Sequence, residues 1–393
     1  MKKITISTYG KFDLFRWAEG FERRGLLYRV LTDFYSPKIP FLEWRRKDTE
    51  NIPKEKVKLL FLARIFDVIA RRYIKDFAYY EQVFFDAWAS RHIDGSDIVI
   101  TRSMCALKTM EAAKRIGAKT VMYRGSSHIE FQKEEREREY RKLGLVPRTT
   151  NSDKKIKREL KEYELCDVLF TPSSFSAKTY AERGVPEDKI VHFPLSAAED
   201  LVISSAGISE KNKNGPLEVL YVGSLSIMKG ALYLLEAIKK IKKESGDNVR
   251  LTVVGPVDPE IKKFLGKYDG IFEYAGAVRH HLLGEYYQKS SVFVFPTLDD
   301  GFGQVMFEAM SHGLPVIATT HSGGPDIIEE GVNGFIIPPY NSEALAEKLL
   351  YCAKNRALIG QMGVQAAGTV KEYSVDKFTD RWMDFFEKEN WLG

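Results

Sequence analysis

Two carboxylates and one lysine stand out by residue type and spacing. Asp300 lies in the loop LDDGFGQ, just after an apolar run that ends at Phe295 and Pro296, and Glu308 follows eight positions on, about a turn into the next helix. A carboxylate accepts paired hydrogen bonds from vicinal hydroxyls, so two acids at this spacing can hold two parts of one polyhydroxylated ligand, such as a ribose and a hexose. Gly301 and Gly303 let backbone amides come close to that ligand, and the helix N-terminus behind them favours negative charge. Upstream, LYVGSLSIMKG places Gly223 and Ser224 after a strand and Lys229 at the start of the next helix. Strand, tight turn and a cation at a helix N-terminus suit a diphosphate. Taken alone, the lysine is a weak signal, and an exposed cap-region residue is the commoner reading. The run Pro315–Thr319 and the turn THSGGPD supply a second glycine-rich loop at the same sheet edge.

The elements that position these groups are legible in both halves. Apolar, β-branched runs alternate with amphipathic helical patterns, the signature of parallel sheets built from βαβ units. The first half carries strand patterns at Ile4–Thr8, Tyr28–Leu31, Asp97–Thr101, Thr120–Tyr123, Val168–Thr171 and Ile190–Phe193. The second carries them at Val219–Val222, Leu251–Val254, Phe272–Tyr274, Val292–Phe295, Val316–Ala318 and Phe335–Ile337. Residues 199–216 (EDLVISSAGISEKNKNGP) have linker composition. The expected organisation is therefore a Rossmann-like domain over 1–198, a linker at 199–216, a second Rossmann-like domain over 217–372 and a terminal helix at 373–393. Two doubly wound domains imply a cleft beyond the carboxyl ends of their strands. Residues 54–92 break the alternation and read as one long helical stretch. Its stripe of Leu62, Phe66, Ile69, Tyr73 and Phe77 is flanked by Arg64, Arg71, Arg72 and Lys75. Packing on the domain core is the default use of such a stripe, and docking on an anionic membrane surface is the alternative.

Bulk properties narrow the class. The chain has 393 residues, 44% hydrophobic and 29% charged, enough apolar material for two cores. Cys105, Cys166 and Cys352 lie far apart with no CxxC pair, which fits a reducing compartment and suggests neither disulfides nor a zinc site. The N-terminus lacks a signal-peptide h-region and no uncharged run has spanning length, so a cytoplasmic protein is expected, at most peripheral at the inner membrane face. Residues 1–200 hold 39 Lys and Arg against 30 Asp and Glu, or +9; the remaining 20 against 24 give −4. A basic half suggests an anionic partner. Nucleic acid is a poor candidate, because the cations form no stripe interleaved with stacking aromatics.

VGSLSIMKG, LTVVG, YAGAV, FPTLDDGFGQVMFEAMSHGLPVIAT and the Gly323–Gly324 turn, in this order and spacing, resemble glycosyltransferase family 4; so do YRGSSHI (Tyr123–Ile129) and LCDVLFTPSSFS (Leu165–Ser176). The resemblance covers most of the chain and is dense from Leu217 to Ala353. It implies the α/β GT-B fold, two Rossmann-like domains facing across a cleft, and retaining, metal-independent transfer of a hexose-type sugar. The donor would be a UDP- or GDP-sugar, with no further cofactor, and the acceptor a glycan, lipid-linked or small-molecule hydroxyl bound by the first domain. By the same resemblance Lys229 would neutralise the leaving diphosphate, Glu308 would bind the ribose, and Asp300 would hold hydroxyls of the transferred sugar. Backbone amides at Phe302, Gly303 and Gln304 would support sugar or phosphate, and Gly223 and Ser224 would lie along the diphosphate. Val278 would line the base pocket and Gly10 would let the first domain close over the phosphates. His128 would sit across the cleft near the sugar, with no need to act as a base.

Two positions depart from the pattern. Ser224 stands where the family usually has Arg, which would cost ~1.5–3 kcal/mol of leaving-group stabilisation unless another cation replaces it; Arg279 or Arg124 is the expected substitute. Asp300 replaces Glu and reaches about one methylene less far. An epimerase of the same architecture or a non-catalytic sugar-nucleotide-binding protein remains open on these departures. In the family's architecture the terminal helix, with Phe378, Trp382, Phe385 and Phe386 on one side, would cross back to the first domain; packing on its own domain is the alternative.

Overall fold

A computed structural model describes residues 2–10, 13–33, 51–60, 77–147, 151–198 and 215–392. The first half folds as a seven-stranded sheet of β1 (Ile4–Thr8), β2 (Leu27–Thr32), β3 (Val57–Leu59), β4 (Ile98–Arg102), β5 (Lys119–Tyr123), β6 (Val168–Thr171) and β7 (Ile190–His192). The order is β3-β2-β1-β4-β5-β6-β7, and every pairing is parallel. The second half is a six-stranded parallel sheet of β8 (Leu217–Val222), β9 (Val249–Val254), β10 (Glu273–Gly276), β11 (Val292–Phe295), β12 (Val316–Thr319) and β13 (Gly334–Ile337), ordered β10-β9-β8-β11-β12-β13. Helices follow most strands. Strands covered on both faces are built mainly from apolar and β-branched residues, and β1, β6, β11 and β12 are buried at every residue.

In each sheet the strand order reverses once, between β1 and β4 and again between β8 and β11. Connections leave these strands in opposite directions, which opens a crevice at their carboxyl ends. The LDDGFGQ loop follows β11 and the Gly223–Lys229 segment follows β8, so the second sheet presents both at its own crevice.

The long helix expected over 54–92 does not form as such. Val57–Leu59 instead runs as edge strand β3, paired parallel to Val30–Thr32 of β2, and among the described residues the helix of this stretch covers Phe77–Ala89. An open strand edge offers unpaired N–H and C=O groups, and satisfying them outweighs local helical patterning. Leu62, Phe66, Ile69 and Tyr73, with Arg64, Arg71, Arg72 and Lys75, lie outside the described residues, as does most of the 199–216 linker. No helix among the described residues is long and apolar enough to cross a membrane.

The terminal helix Val375–Lys388 packs on the first domain. Trp382, fully buried, lies 5.6 Å from the Trp17 ring, 5.0 Å from Phe170 and 5.2 Å from Phe193. A Cβ at Gly20 would fall 2.0 Å from Thr379 Oγ1, so glycine sets how closely the helix Leu14–Arg23 approaches. Arg24 pairs with Asp380 at the solvent rim. Trp382→Ala is expected to cost about 3–5 kcal/mol as a buried aromatic truncation, whereas Asp380→Ala should cost under ~1 kcal/mol as an exposed pair. Denaturant titration of the two variants reads the difference.

The two domains touch along several polar bonds. The helix Ile129–Lys142 of the first domain presents Glu135 to Tyr340, Glu139 to Tyr233 (2.8 Å) and Tyr140 to Glu260. Nearer the crevices, Ser127 Oγ donates to Asp299 Oδ1 at 2.6 Å and Ser173 Oγ to the Gly301 carbonyl at 2.6 Å. The Ser174 amide donates to both carboxylate oxygens of Asp326 at 3.1 Å.

Candidate active site

Between the carboxyl end of β5 on one side and those of β8 and β11 on the other lies a cavity of about 370 Å³. Its wall brings together Lys229, Asp300 and Glu308, which the chain separates by up to 79 positions (308 − 229). Gly223, Phe302, Gly303 and Gln304 also line it.

Lys229 owes its place to the residue after it. Gly230 has φ +70°, and a Cβ there would lie 1.8 Å from the Pro296 carbonyl oxygen. Only glycine lets the helix Ala231–Ser245 start this close to the β11 loop. The Lys229 ammonium then pairs with Asp300 Oδ2, and the other Asp300 oxygen accepts the Phe302 amide at 3.1 Å. Burial disfavours the lysine's charge, but Asp300 and then Asp299 overcome it and hold its pKa above the ordinary value. Asp299, by contrast, is held above the usual carboxylate range, chiefly by burial. Gly303 has φ +97°, and a Cβ there would lie 2.5 Å from the Phe295 ring. The loop therefore lies tight against the end of β11 and lines the cavity through Phe302, Gly303 and Gln304.

Glu308 projects from the first turn of the helix Val305–Ser311. Its carboxylate accepts the Tyr287 hydroxyl at 3.0 Å and His280 Nε2 at 3.3 Å. Tyr287 is buried and stacked on His312 at 5.0 Å; burial, then the Glu308 charge, pushes its phenol well up, so it stays a donor. Those bonds fix the carboxylate's orientation while leaving further acceptor capacity toward the cavity.

Other residues singled out in the sequence sit elsewhere. His128 does not line the cavity. It is 1% exposed, its Nδ1 accepts the Glu130 amide at 3.2 Å, and its ring lies against Tyr163 and Tyr180. It caps the helix Ile129–Lys142; burial, then Arg183 and Arg124, lowers its pKa to about 3, so it is neutral at pH 7. Gly10, at φ +83°, donates to Asp33 Oδ1 at 2.5 Å, and it is Asp13, three positions on, that reaches the cavity. The Ser224 carbonyl accepts the Tyr221 hydroxyl at 2.7 Å, and Val278 packs at the core's edge; neither lines the cavity. The cation expected to replace the arginine at 224 is not where the sequence put it. Arg124 turns into the first domain, paired with Glu159 at 2.6 Å, and Arg279 is exposed outside the cavity. Besides Lys229, the basic group that lines it is His280. Sequence reading missed His280, Tyr287, Asp13 and Tyr123. The HH pair after Val278 was the one available signal, since histidines beside a phosphate-shaped loop invite inspection.

Residues 216–355 match the family model described as "Glycosyl transferases group 1". Among curated proteins, the chain is 33% identical over 194 residues to the capsular polysaccharide biosynthesis glycosyltransferase CapM of Staphylococcus aureus, covering 47% of this chain and 51% of that one. It is 27% identical over 200 residues to the putative colanic acid biosynthesis glycosyltransferase WcaL of Salmonella typhimurium, 47% of each. The chain thus spans about half the length of the curated relatives it matches. Over whole chains it superposes on HepE of Anabaena in complex with UDP, with TM-score 0.68, 15% identity, and 99% and 100% coverage. It also superposes on the sucrose-phosphate synthase of Thermosynechococcus elongatus, with TM-score 0.72, 18% identity and full coverage of both. The architecture of two facing parallel-sheet domains is the GT-B fold.

Proposed function

We propose that this chain is a retaining glycosyltransferase that moves a hexose-type sugar from a UDP- or GDP-sugar to a glycan or lipid-linked acceptor. One observation carries the reading: a cation and two carboxylates from three separate elements converge on a single interdomain cavity. Breaking the bond to a diphosphate builds negative charge on phosphate and positive charge on the ring. Lys229, the loop amides and a helix N-terminus stabilise the first. In this reading Lys229 releases Asp300 as the diphosphate arrives, and the freed carboxylate turns to the sugar hydroxyls. Glu308, oriented by Tyr287, takes the ribose. His280 stands where it can approach the diphosphate and donate a hydrogen bond in place of the arginine that Ser224 replaces. The acceptor then attacks the face the diphosphate leaves, with a phosphate oxygen taking its proton. The named relatives in polysaccharide biosynthesis favour a growing glycan as acceptor, and the UDP bound in HepE makes UDP-sugars the first donors to try.

Isothermal titration with UDP, GDP and ADP tests the donor site. One nucleotide should bind clearly, and Glu308→Ala should weaken it by about 1.5–3 kcal/mol, roughly ten- to hundredfold in Kd. Equal affinity in wild type and variant would remove Glu308 from the donor site. Release of UDP only when an acceptor is added separates a transferase from an epimerase or a binding protein of the same fold.

A further inference from the structure

Behind the Lys229–Asp300 pair a second cavity, of about 250 Å³, opens between the helix Ile129–Lys142 and the segment that follows β8. It shares Lys229 with the first cavity, so the two adjoin across that one side chain. Gln132, Lys133 and Arg136 enter it from a single helix face, because positions one turn apart lie side by side. Asn151 and Ser226 complete its polar wall.

The charge balance of this cavity is positive. Lys133 has Asp153 at 3.5 Å, but that carboxylate is 83% exposed and screened by water. Arg136 gives one of its five donors to the Tyr140 hydroxyl at 3.2 Å and lies over that ring. The acid in the wall, Asp299, is occupied by Ser127 at 2.6 Å and by Gln132, and burial holds its pKa up. Lys229 is already paired with Asp300, so Lys133 and Arg136 are the cations left to face the space against one engaged carboxylate, beside neutral amides and a hydroxyl that match sugar hydroxyls. At about 250 Å³ the space falls below the ~300–1,000 Å³ of drug-sized ligand clefts, a fit for one sugar unit.

We propose that this second cavity binds a carboxylate-bearing sugar, a hexuronate, with its acid group toward Lys133 and Arg136. The inference rests on the donor site argued above, because the shared Lys229 places the hexuronate next to the reacting carbon. The carboxylate belongs either to the transferred sugar or to the acceptor's sugar, and the same geometry serves both. It also gives the basic character of the first half a local use.

The test compares UDP-glucuronate with UDP-glucose, and, in the presence of UDP, methyl glucuronide with methyl glucoside, by saturation-transfer NMR and calorimetry. The acidic member of one pair should bind about tenfold tighter. An advantage in the first pair assigns the acid to the donor sugar, and in the second to the acceptor. Lys133→Gln/Arg136→Gln should abolish the advantage while UDP itself binds as before; Lys133→Gln alone should reduce it in part. No acidic advantage in either pair, or one that survives the double variant, overturns the proposal. Failure of UDP, GDP and ADP alike to bind overturns the donor reading instead, and the glucuronide pair without nucleotide then decides this one.

Discussion

Lys229→Ala is expected to slow sugar transfer by roughly 10²–10³-fold, the usual cost of removing one preorganised group from a developing anion. The effect has two parts. The variant loses the cation nearest the leaving diphosphate, and it strands Asp300, whose carboxylate otherwise pairs with the ammonium. An unpaired carboxylate in the cavity repels the diphosphate it faces. Pairing the substitution with Asp300→Ala should therefore recover donor binding lost to that repulsion while leaving turnover low. Lys229→Arg keeps the charge but spreads it over a planar fork, and should retain more activity than alanine. Single-turnover UDP release in the three variants separates these contributions. Turnover within about threefold of wild type in Lys229→Ala would remove the lysine from leaving-group stabilisation.

Gly301→Ala is expected to lower kcat by about 10²-fold or more with little change in UDP affinity. A Cβ at 301 would fall 2.0 Å from the Gly125 carbonyl oxygen and 2.5 Å from the Ser126 Cα. Both are backbone atoms of the opposite domain, and neither can swing aside. The Gly301 carbonyl meanwhile accepts Ser173 Oγ across the same contact. Adding one methyl must part the domains here by an ångström or more, and a misplacement of ~1 Å at reacting groups costs about 10²-fold. Each domain's own core is untouched, so the variant should fold normally. Small-angle scattering should show a more open envelope. A variant with wild-type turnover would mean that catalysis does not require this closure.

Much of the fold was legible in the sequence because its elements are specified locally. Strands buried on both faces are runs rich in apolar and β-branched residues, so β1, β6 and β11 announce themselves at the residues they occupy. β3 does not: three residues with an exposed lysine in the middle carry no such run, and they became a strand because β2 had an open edge. The placement of His128 shows the same limit within the site. Its sequence context resembles a ligand-facing histidine, yet a helix that starts at Ile129 turns the imidazole back onto the Glu130 amide. Arg124 was available in the sequence as a spare cation, and Glu159, thirty-five positions on, claimed it.

What the chain alone determined about this protein was the alternation of strands and helices, and the loops after β8 and β11 that hold Lys229, Asp300 and Glu308. Those features follow from residue type and periodicity over a few turns of chain. Only the tertiary structure decided which side chains share a cavity, His280 beside Glu308, Asp13 and Tyr123 from the other domain, and Lys133 and Arg136 behind Lys229, and that Tyr287 holds the Glu308 carboxylate from the core. A side chain's direction is fixed by whichever donor, acceptor or carbon it meets, and here those partners come from distant segments or the opposite domain. No spacing rule carries that information, because it exists only once the two sheets face each other.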